Sequence, residues 1–144
     1  MIDFTVIGNP KALKRHRHFK FGTYDPSKKD KKSFYIKSLS HKPIQPLSGN
    51  LFLDIKFYFN RPKSHYRTGK YKDLLKQAAP KYYHSQKPDI DNLVKFVADA
   101  IQGQDRFILD DSMICSLKAS KMWVGEGEKS RTEVSIFGLC EDKD

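Results

Sequence analysis

Cysteine, tryptophan and long apolar runs are all scarce in this chain of 144 residues. The two cysteines, Cys115 and Cys140, are too few for a disulfide framework or a zinc cage, and we expect both to be buried, reduced thiols. No apolar run reaches the ~18 residues that a membrane crossing needs. The first ten residues lack the basic and apolar regions of a secretory signal, so we expect a cytoplasmic protein.

Acidic residues are scarce in the first 87 positions. These hold 20 Lys and Arg against 5 Asp and Glu, a balance of +15, whereas residues 88–144 hold 7 against 12, a balance of −5. The two parts together give the net charge of +10. Clustered Lys and Arg release counterions from phosphates on binding, so the first part predicts a polyanionic partner.

The periodicity of apolar residues predicts a single α+β domain over residues 1–144, with a mixed sheet covered by helices. The predicted order is strand, helix, strand, helix, strand, strand. The clearest strand is "LFLDIKFYF" at 51–59, in which every second residue is apolar. The two predicted helices cover 28–41, capped by Ser27, and 92–102, which Gly103 ends. The strand after the second helix places Cys115, Leu117 and Trp123 on one face, which we expect to be buried.

The stretch "KPDIDNLVKFVADAIQG" places two carboxylates, Asp89 and Asp91, directly before a helix in a basic chain. Asp91 or Asn92 would cap the helix, but one capping residue suffices, and two close carboxylates repel unless a cation intervenes. Lys95 lies on the polar face of the helix, where a first-turn cation opposes the helix dipole. A second acidic pair ends in Asp111, which we expect to return to the first pair and complete an oxygen site for a hard cation.

These acids also have other interpretations. Each acid alone fits a capped helix or a turn. A calcium loop of the EF-hand type needs glycine at its sixth position. Counted from Asp89, the sixth position is Val94, so the stretch does not fit such a loop. A metal-dependent transferase of the D-x-D type is less favoured, because no glycine-rich phosphate loop is present. The five histidines lie in basic or loop segments, where they are expected to be phosphate neighbours or surface residues.

The acidic motif, with "ILDDSMI" and "SKMW" downstream, resembles the RusA-type crossover-junction endodeoxyribonucleases, small and often phage-borne enzymes. The resemblance is strongest over 87–123 and extends more weakly to "NPKALKRHRHFKF" near the N-terminus. It implies a homodimer, dependent on Mg²⁺ or alternatively Mn²⁺, that resolves four-way or other branched DNA by paired symmetric nicks. It also implies that Asp89, Asp91 and Asp111 bind the metal and that Lys95 is catalytic.

Basic residues near aromatic side chains are candidates for DNA contacts. They are Lys14, Arg15, Arg17, Lys20, Lys87 and Lys121. Phe107, Trp123 and Phe137 have no obvious role in the core and are candidates for the dimer contact. A DNA-binding module without catalysis is the main alternative to the nuclease, and the transferase is the second. The long polar segment between the strand at 51–59 and Asp89 has no assigned role.

Overall fold

The computed structural model describes residues 1–141, which form one α+β domain. Its strands are β1 (Ile2–Ile7), β2 (Arg17–Phe19), β3 (Gly22–Tyr24), β4 (Leu51–Phe59), β5 (Ile114–Trp123) and β6 (Arg131–Gly138). Its helices are α1 (Lys28–Ser38) and α2 (Ile90–Ile101), and short 3-10 turns lie at Leu39–His41, Lys63–His65, Gly69–Tyr71 and Asp111–Met113. Within the described residues, neither helix combines the length and the apolar composition of a membrane span.

Four strands form a mixed sheet in the order β1-β6-β4-β5. β4 and β5 are parallel, and the other neighbours are antiparallel. β2 and β3 form a separate two-stranded hairpin in the basic segment between β1 and α1, where the predicted order has no strand. The predicted class and order of the main elements are confirmed, and the hairpin is an addition.

The core lies between one face of the sheet and the two helices. Leu51, Leu53, Ile55, Phe57 and Phe59 alternate along β4 and are all buried, as their spacing predicted. The apolar stripe of α2 is buried against the sheet: Leu93, Phe96, Val97, Ala100 and Ile101. Burying each such large side chain contributes about 1.5–3 kcal/mol relative to exposure, so this contact dominates the stability of the domain.

The bounds of α2 differ from the prediction. The helix begins at Ile90, two residues early, with Asp89 as its N-cap residue, and no side-chain capping hydrogen bond is formed. The helix ends at Ile101, and Gly103 has a φ of +139°, a conformation that L side chains rarely adopt. In α1, Phe34 is buried, whereas Leu39, which falls inside the predicted helix 28–41, lies in the following turn and is exposed.

The burial predicted for β5 is only partly correct. The register pairs Leu117 with Leu53 and Trp123 with Phe59, so these side chains do share the core face. β5 is nevertheless the edge strand, and Leu117 is 48% exposed. Cys115 lies at a register irregularity opposite Leu51 and Phe52, where it has no partner in β4, and it is exposed. Cys140 is also exposed, so the expectation of two buried thiols was wrong.

The long segment after β4 is anchored at its two ends by buried polar side chains. The guanidinium of Arg61 donates to the carbonyl oxygens of Val124 at 2.6 Å and of Lys81 at 3.0 Å. The ring of His84 stacks on Trp123 with centroids 3.9 Å apart and planes 5° apart. His84 is only 6% exposed, so the expectation that it lies on the surface was wrong.

Phe107 and Trp123 are buried in the core and are therefore not free to form a dimer contact.

The buried His84 predicts a loss of stability in mild acid. Burial, with the positive charge of Lys121, holds the pKa of His84 below its ordinary value of 6.5. The unfolded chain therefore binds more protons below that value, so stability is complete above it and falls as the pH drops through it. We expect the melting temperature to decrease as the pH is lowered from about 7.5 to about 5.

A His84→Asn variant should melt at a lower temperature because the stack is removed, but with a shallower pH slope. The matched control is His18→Asn, a change at an exposed position of the hairpin. An equal pH slope in wild type and His84→Asn would show that His84 does not determine the acid sensitivity.

Candidate active site

Asp89 and Asp91 are positioned by the way their segment runs along the end of β5. The backbone N–H of Trp123 donates to the carbonyl of Tyr82 at 2.7 Å, and that of His84 donates to the carbonyl of Lys121 at 3.1 Å. The ammonium of Lys121 then donates to the carbonyl of Pro88 at 2.6 Å and to that of Gln86. These contacts hold the chain just before Asp89 against the sheet edge.

The two carboxylates line one open cleft of about 660 Å³ at the N-terminus of α2. The cleft is lined by Tyr83, His84, Asp89, Ile90, Asp91, Ala119, Ser120 and Lys121. Asp89 and Asp91 are both exposed. The partial positive charge of the helix N-terminus favours negative groups, such as these two side chains or a phosphate, at this end of the helix.

The second acidic pair lies at the opposite end of α2. The backbone N–H of Asp111 donates to Oε1 of Gln102 at 3.0 Å, and Nε2 of Gln102 donates to Asp99 at 3.3 Å. Partial burial of the carboxyl, its hydrogen bond with Asp110 and the negative charges of Asp110 and Asp99 raise the pKa of Asp111. A backbone hydrogen bond from Ser112 lowers the pKa of Asp110.

Two independent measures show how far apart the acidic groups are. From Asp91 to Gln102 the helix rises by about 16 Å at 1.5 Å per residue. Along β5, the five steps from Ile114 to Ala119 also span about 16 Å at 3.3 Å per residue. Among residues 1–141, no three His, Cys, Asp or Glu side chains form a group that could hold a metal ion. The expected return of Asp111 to Asp89 and Asp91 does not occur within one chain.

Lys95 and Asp99 follow Asp91 at intervals of four residues and share its helix face. Lys95 is exposed and does not line the cleft. Asp99 instead accepts a salt bridge at 3.5 Å from Lys31 of α1, whose ammonium also pairs with Asp25 at 2.5 Å. The polar face of α2 therefore begins at the cleft and ends in a network that ties the two helices together.

The basic segment before α1 is connected to the first turn of α2. The backbone N–H of Leu13 donates to the carbonyl of Asn92 at 3.0 Å, and that of Lys14 donates to Oγ of Ser27 at 2.8 Å. The segment 14–24, which we call the basic arm, leaves the domain at this point and forms the β2–β3 hairpin. Its predicted DNA-contacting residues are all exposed: Lys14, Arg15, Arg17 and Lys20.

The other two predicted DNA contacts differ in their surroundings. Lys87 is exposed next to Pro88, two residues before Asp89, where its charge is open to a ligand. Lys121 is half-buried, and its ammonium is engaged by the backbone carbonyls of Gln86 and Pro88. Sequence reasoning missed this positioning role and that of Arg61. The signal that was available for Lys121 is its position on the predicted apolar face of β5, whereas nothing in the sequence singles out Arg61.

Comparison with known proteins assigns the family. The family model for endodeoxyribonuclease RusA matches residues 7–137, which include every element from the end of β1 to β6. The chain belongs to the RusA endodeoxyribonuclease family. Membership implies an endodeoxyribonuclease that binds DNA junctions, and the predicted resemblance is confirmed.

A relative in Bacillus subtilis (strain 168) bears the description "Uncharacterized protein YqaN". It is 33% identical over 141 residues, and the match covers 94% of this chain and 94% of that protein. The similarity therefore extends over nearly the full length of the chain and not over the acidic motif alone.

The contacts of Lys121 predict a structural effect when its charge is removed. Lys121→Met keeps the apolar stem but leaves the carbonyls of Gln86 and Pro88 without their donor, which costs roughly 1–3 kcal/mol for a buried acceptor and less at this half-buried site. We expect a lower melting temperature and faster amide hydrogen exchange in residues 86–91. Lys118→Met, three residues earlier on the opposite face of β5, is the control and should leave that exchange unchanged.

Proposed function

We propose that this RusA-family chain is a Mg²⁺-dependent, structure-selective DNA endonuclease that resolves four-way junctions by paired, symmetric nicks. The observation that carries the proposal is the pairing of two features at one helix end. Asp89 and Asp91 line an open cleft there, and Leu13, directly before the basic arm, donates its backbone N–H to the carbonyl of Asn92 in the same helical turn. A phosphate held by the arm would therefore lie close to the carboxylates.

The chemistry of the cleft fits a hard divalent cation. Its two acids offer only oxygen donors, which Mg²⁺ prefers, and the cleft is open enough for water and phosphate ligands. Asp89 and Asp91 would hold the metal, whereas Asp111, the third acid of the predicted set, lies at the other end of α2 and is too far away to reach the same ion within one chain. When bound, Mg²⁺ offsets charge on the reacting phosphate and lowers the pKa of a water molecule.

The remaining residues have proposed roles in binding and charge compensation. The basic arm and Lys87 bind the DNA backbone, because exposed Lys and Arg release counterions from phosphates. Lys95, on the helix face that leads into the cleft, stabilises negative charge on the scissile phosphate in the transition state. Lys121 acts on the backbone before Asp89 and is a positioning residue.

Cleavage of a labelled four-way junction with Mg²⁺, with and without EDTA, tests the proposal. A linear duplex of the same sequence is the matched substrate. We expect nicks at symmetry-related positions of the junction that EDTA abolishes and that the duplex lacks. Tight junction binding without any cleavage would instead favour a non-catalytic DNA-binding module. Absence of both junction binding and junction cleavage would overturn the proposal.

Replacement of one carboxylate in the cleft is expected to separate catalysis from binding. Asp91→Asn removes a proposed metal ligand and a charge that repels DNA, so cleavage should be abolished and junction binding should be unchanged or tighter. The cost to the helix is about 0.3–1 kcal/mol, from the loss of one acid at its N-terminus, so the variant should fold. Asp73→Asn, in the exposed part of the long segment, is the control. Near-normal cleavage by Asp91→Asn would remove this residue from the site.

The basic arm is expected to determine much of the salt dependence of DNA binding. The triple change Lys14→Ala, Arg15→Ala and Arg17→Ala should reduce the log–log slope of affinity against salt by roughly 0.9 for each phosphate that the arm no longer neutralises. Lys56→Ala with Lys118→Ala removes two exposed charges from the sheet face opposite the helices and should leave the slope unchanged. A slope in the triple variant equal to that of the control variant and the wild type would show that the arm does not contact DNA.

A further inference from the structure

His84 is a nearly buried side chain in the wall of the candidate active site. It lines the same open cleft as Asp89 and Asp91, and it also lines an adjacent cavity of about 420 Å³ to which Lys87 and Pro88 contribute. The imidazole therefore forms part of the boundary between these two spaces. A polar ring at this boundary can meet a group that enters the cleft.

The ring of His84 has a fixed orientation. One face stacks on Trp123, and Phe59 contacts the ring edge to face, with centroids 4.6 Å apart and planes at 73°. The backbone N–H of His84 donates to the carbonyl of Lys121 at 3.1 Å, which holds the residue against β5. Aromatic packing and backbone bonding together leave the ring little freedom, so its two nitrogens point in defined directions.

A backbone hydrogen bond determines where the ring carries its proton. The N–H of Gln86 donates to Nδ1 of His84 at 3.1 Å. A ring nitrogen that accepts a hydrogen bond carries no proton, so the neutral ring has its proton on Nε2. Burial and the positive charge of Lys121 hold the pKa of His84 below its ordinary value, so the ring is neutral near pH 7. Nε2–H of His84 is therefore a neutral donor.

This donor has no acceptor in the protein. Within residues 1–141, no group accepts a hydrogen bond from Nε2 of His84, although every side-chain nitrogen or oxygen of that range that is shut off from solvent has a partner. Nε2 therefore reaches the open space of the cleft and its neighbouring cavity. Because buried polar groups are almost always paired, a donor of this kind is expected to find its acceptor in the functional complex.

The position of the proton limits the chemistry of the ring. Nδ1 is occupied by Gln86 and Nε2 already carries a proton, so the ring is not a general base and offers no free lone pair to a metal ion. In agreement, His84, Asp89 and Asp91, all in the described part of the chain, form no group that could hold a metal ion. The remaining role is donation to an acceptor, and the acceptor that DNA brings is a phosphate oxygen.

We propose that Nε2–H of His84 donates a hydrogen bond to a non-bridging oxygen of the scissile phosphate, which makes His84 a further catalytic residue of this site. The inference rests on the proposed function. Asp89 and Asp91 belong to the helix side of the cleft, whereas His84 belongs to the side of β5. A donor that is fixed before the substrate arrives needs no reorganisation when charge develops on the phosphate, so it stabilises the transition state.

The neutral ring and the nearby cation have different expected effects. The exposed ammonium of Lys87 lines the cavity beside the cleft, so a phosphate near His84 also lies near a positive charge. That charge attracts any phosphate and contributes to affinity. A neutral donor contributes little attraction at a distance and acts on the phosphate that it touches. Loss of the His84 donor should therefore lower the rate of cleavage more than the affinity for DNA.

Replacement of His84 by phenylalanine tests the donor and keeps an aromatic ring on Trp123. With Mg²⁺ and saturating protein, we expect His84→Phe to cut a four-way junction about 100-fold more slowly in a single turnover, with the Kd for the junction changed far less. His65→Phe is the matched control, because the ring of His65 also packs against Trp123, with centroids 4.9 Å apart, but does not line the cleft. It should cut at a rate near that of the wild type.

A weaker affinity with an unchanged cleavage rate in His84→Phe would overturn the assignment to the scissile phosphate. Two amide variants then separate the donor from the fold. The amide of His84→Gln reaches about as far as Nε2 and can donate, whereas that of His84→Asn ends near the position of Nδ1. We expect His84→Gln to cut at least about 10-fold faster than the other two variants. Rates that follow the melting temperatures, and not the presence of a donor, would show a structural role and overturn the proposal.

NMR of wild-type protein labelled at the histidine ring nitrogens tests the proton position without cleavage. In the free protein, we expect an unprotonated Nδ1 and a protonated Nε2 for His84. On addition of a four-way junction in EDTA, the Nε2–H signal should shift and its exchange with water should slow, whereas the signals of His65 should not change. A protonated Nδ1, or an Nε2–H signal that stays unchanged at saturating junction, would overturn the proposal.

Failure of this inference can be distinguished from failure of the proposed function. A wild type that binds the junction in EDTA but does not cut it with Mg²⁺ would contradict the proposed function, and the Nε2–H signal would still decide whether His84 donates to DNA. Equally fast cleavage by wild type and His84→Phe would leave the proposed function intact and would overturn the role of His84.

Discussion

The packing of the apolar stripe of α2 onto the sheet is the contact on which the arrangement of this domain depends. The helix connects two parallel neighbours, β4 and β5, so it has to run back along them before β5 can begin. Its N-terminus therefore lies beside the end of β5 and its C-terminus beside the beginning. This single constraint places Asp89 and Asp91 in the open cleft and sends Asp111 to the other end of the helix.

The same packing leaves the outer edge of β5 without a neighbouring strand in residues 1–141. β5 is the edge strand of the sheet, and within residues 1–141 no strand pairs with its outer edge, while the four residues 115–118 in its first half are exposed. The long segment after β4 covers only the second half, through the stack of His84 on Trp123 and the backbone bonds of residues 82–84.

Most elements of the fold could be predicted from the spacing of apolar residues and from the residues that begin and end helices and strands. The alternation in β4 and the stripe in α2 are determined by local geometry, which is why both were predicted correctly. The errors concern contacts between distant segments. Cys115 and Leu117 have the period of a buried face, but an edge strand exposes part of that face. His84 has the setting of a loop residue, but tertiary contact with Trp123 buries it.

The candidate site likewise combines features that the sequence predicts with features that only tertiary contacts determine. The amino-acid sequence by itself determined the family, the class of secondary structure and the identity of the acidic and basic residues, because a motif of fixed spacing preserves chemistry and local geometry. Only the tertiary structure decided which of those residues are neighbours. Spacing along a chain gives no direction in space. It is the return path of α2 across two parallel strands that places Asp89 and Asp91 beside the end of β5 and takes Asp111 to the other end of the helix.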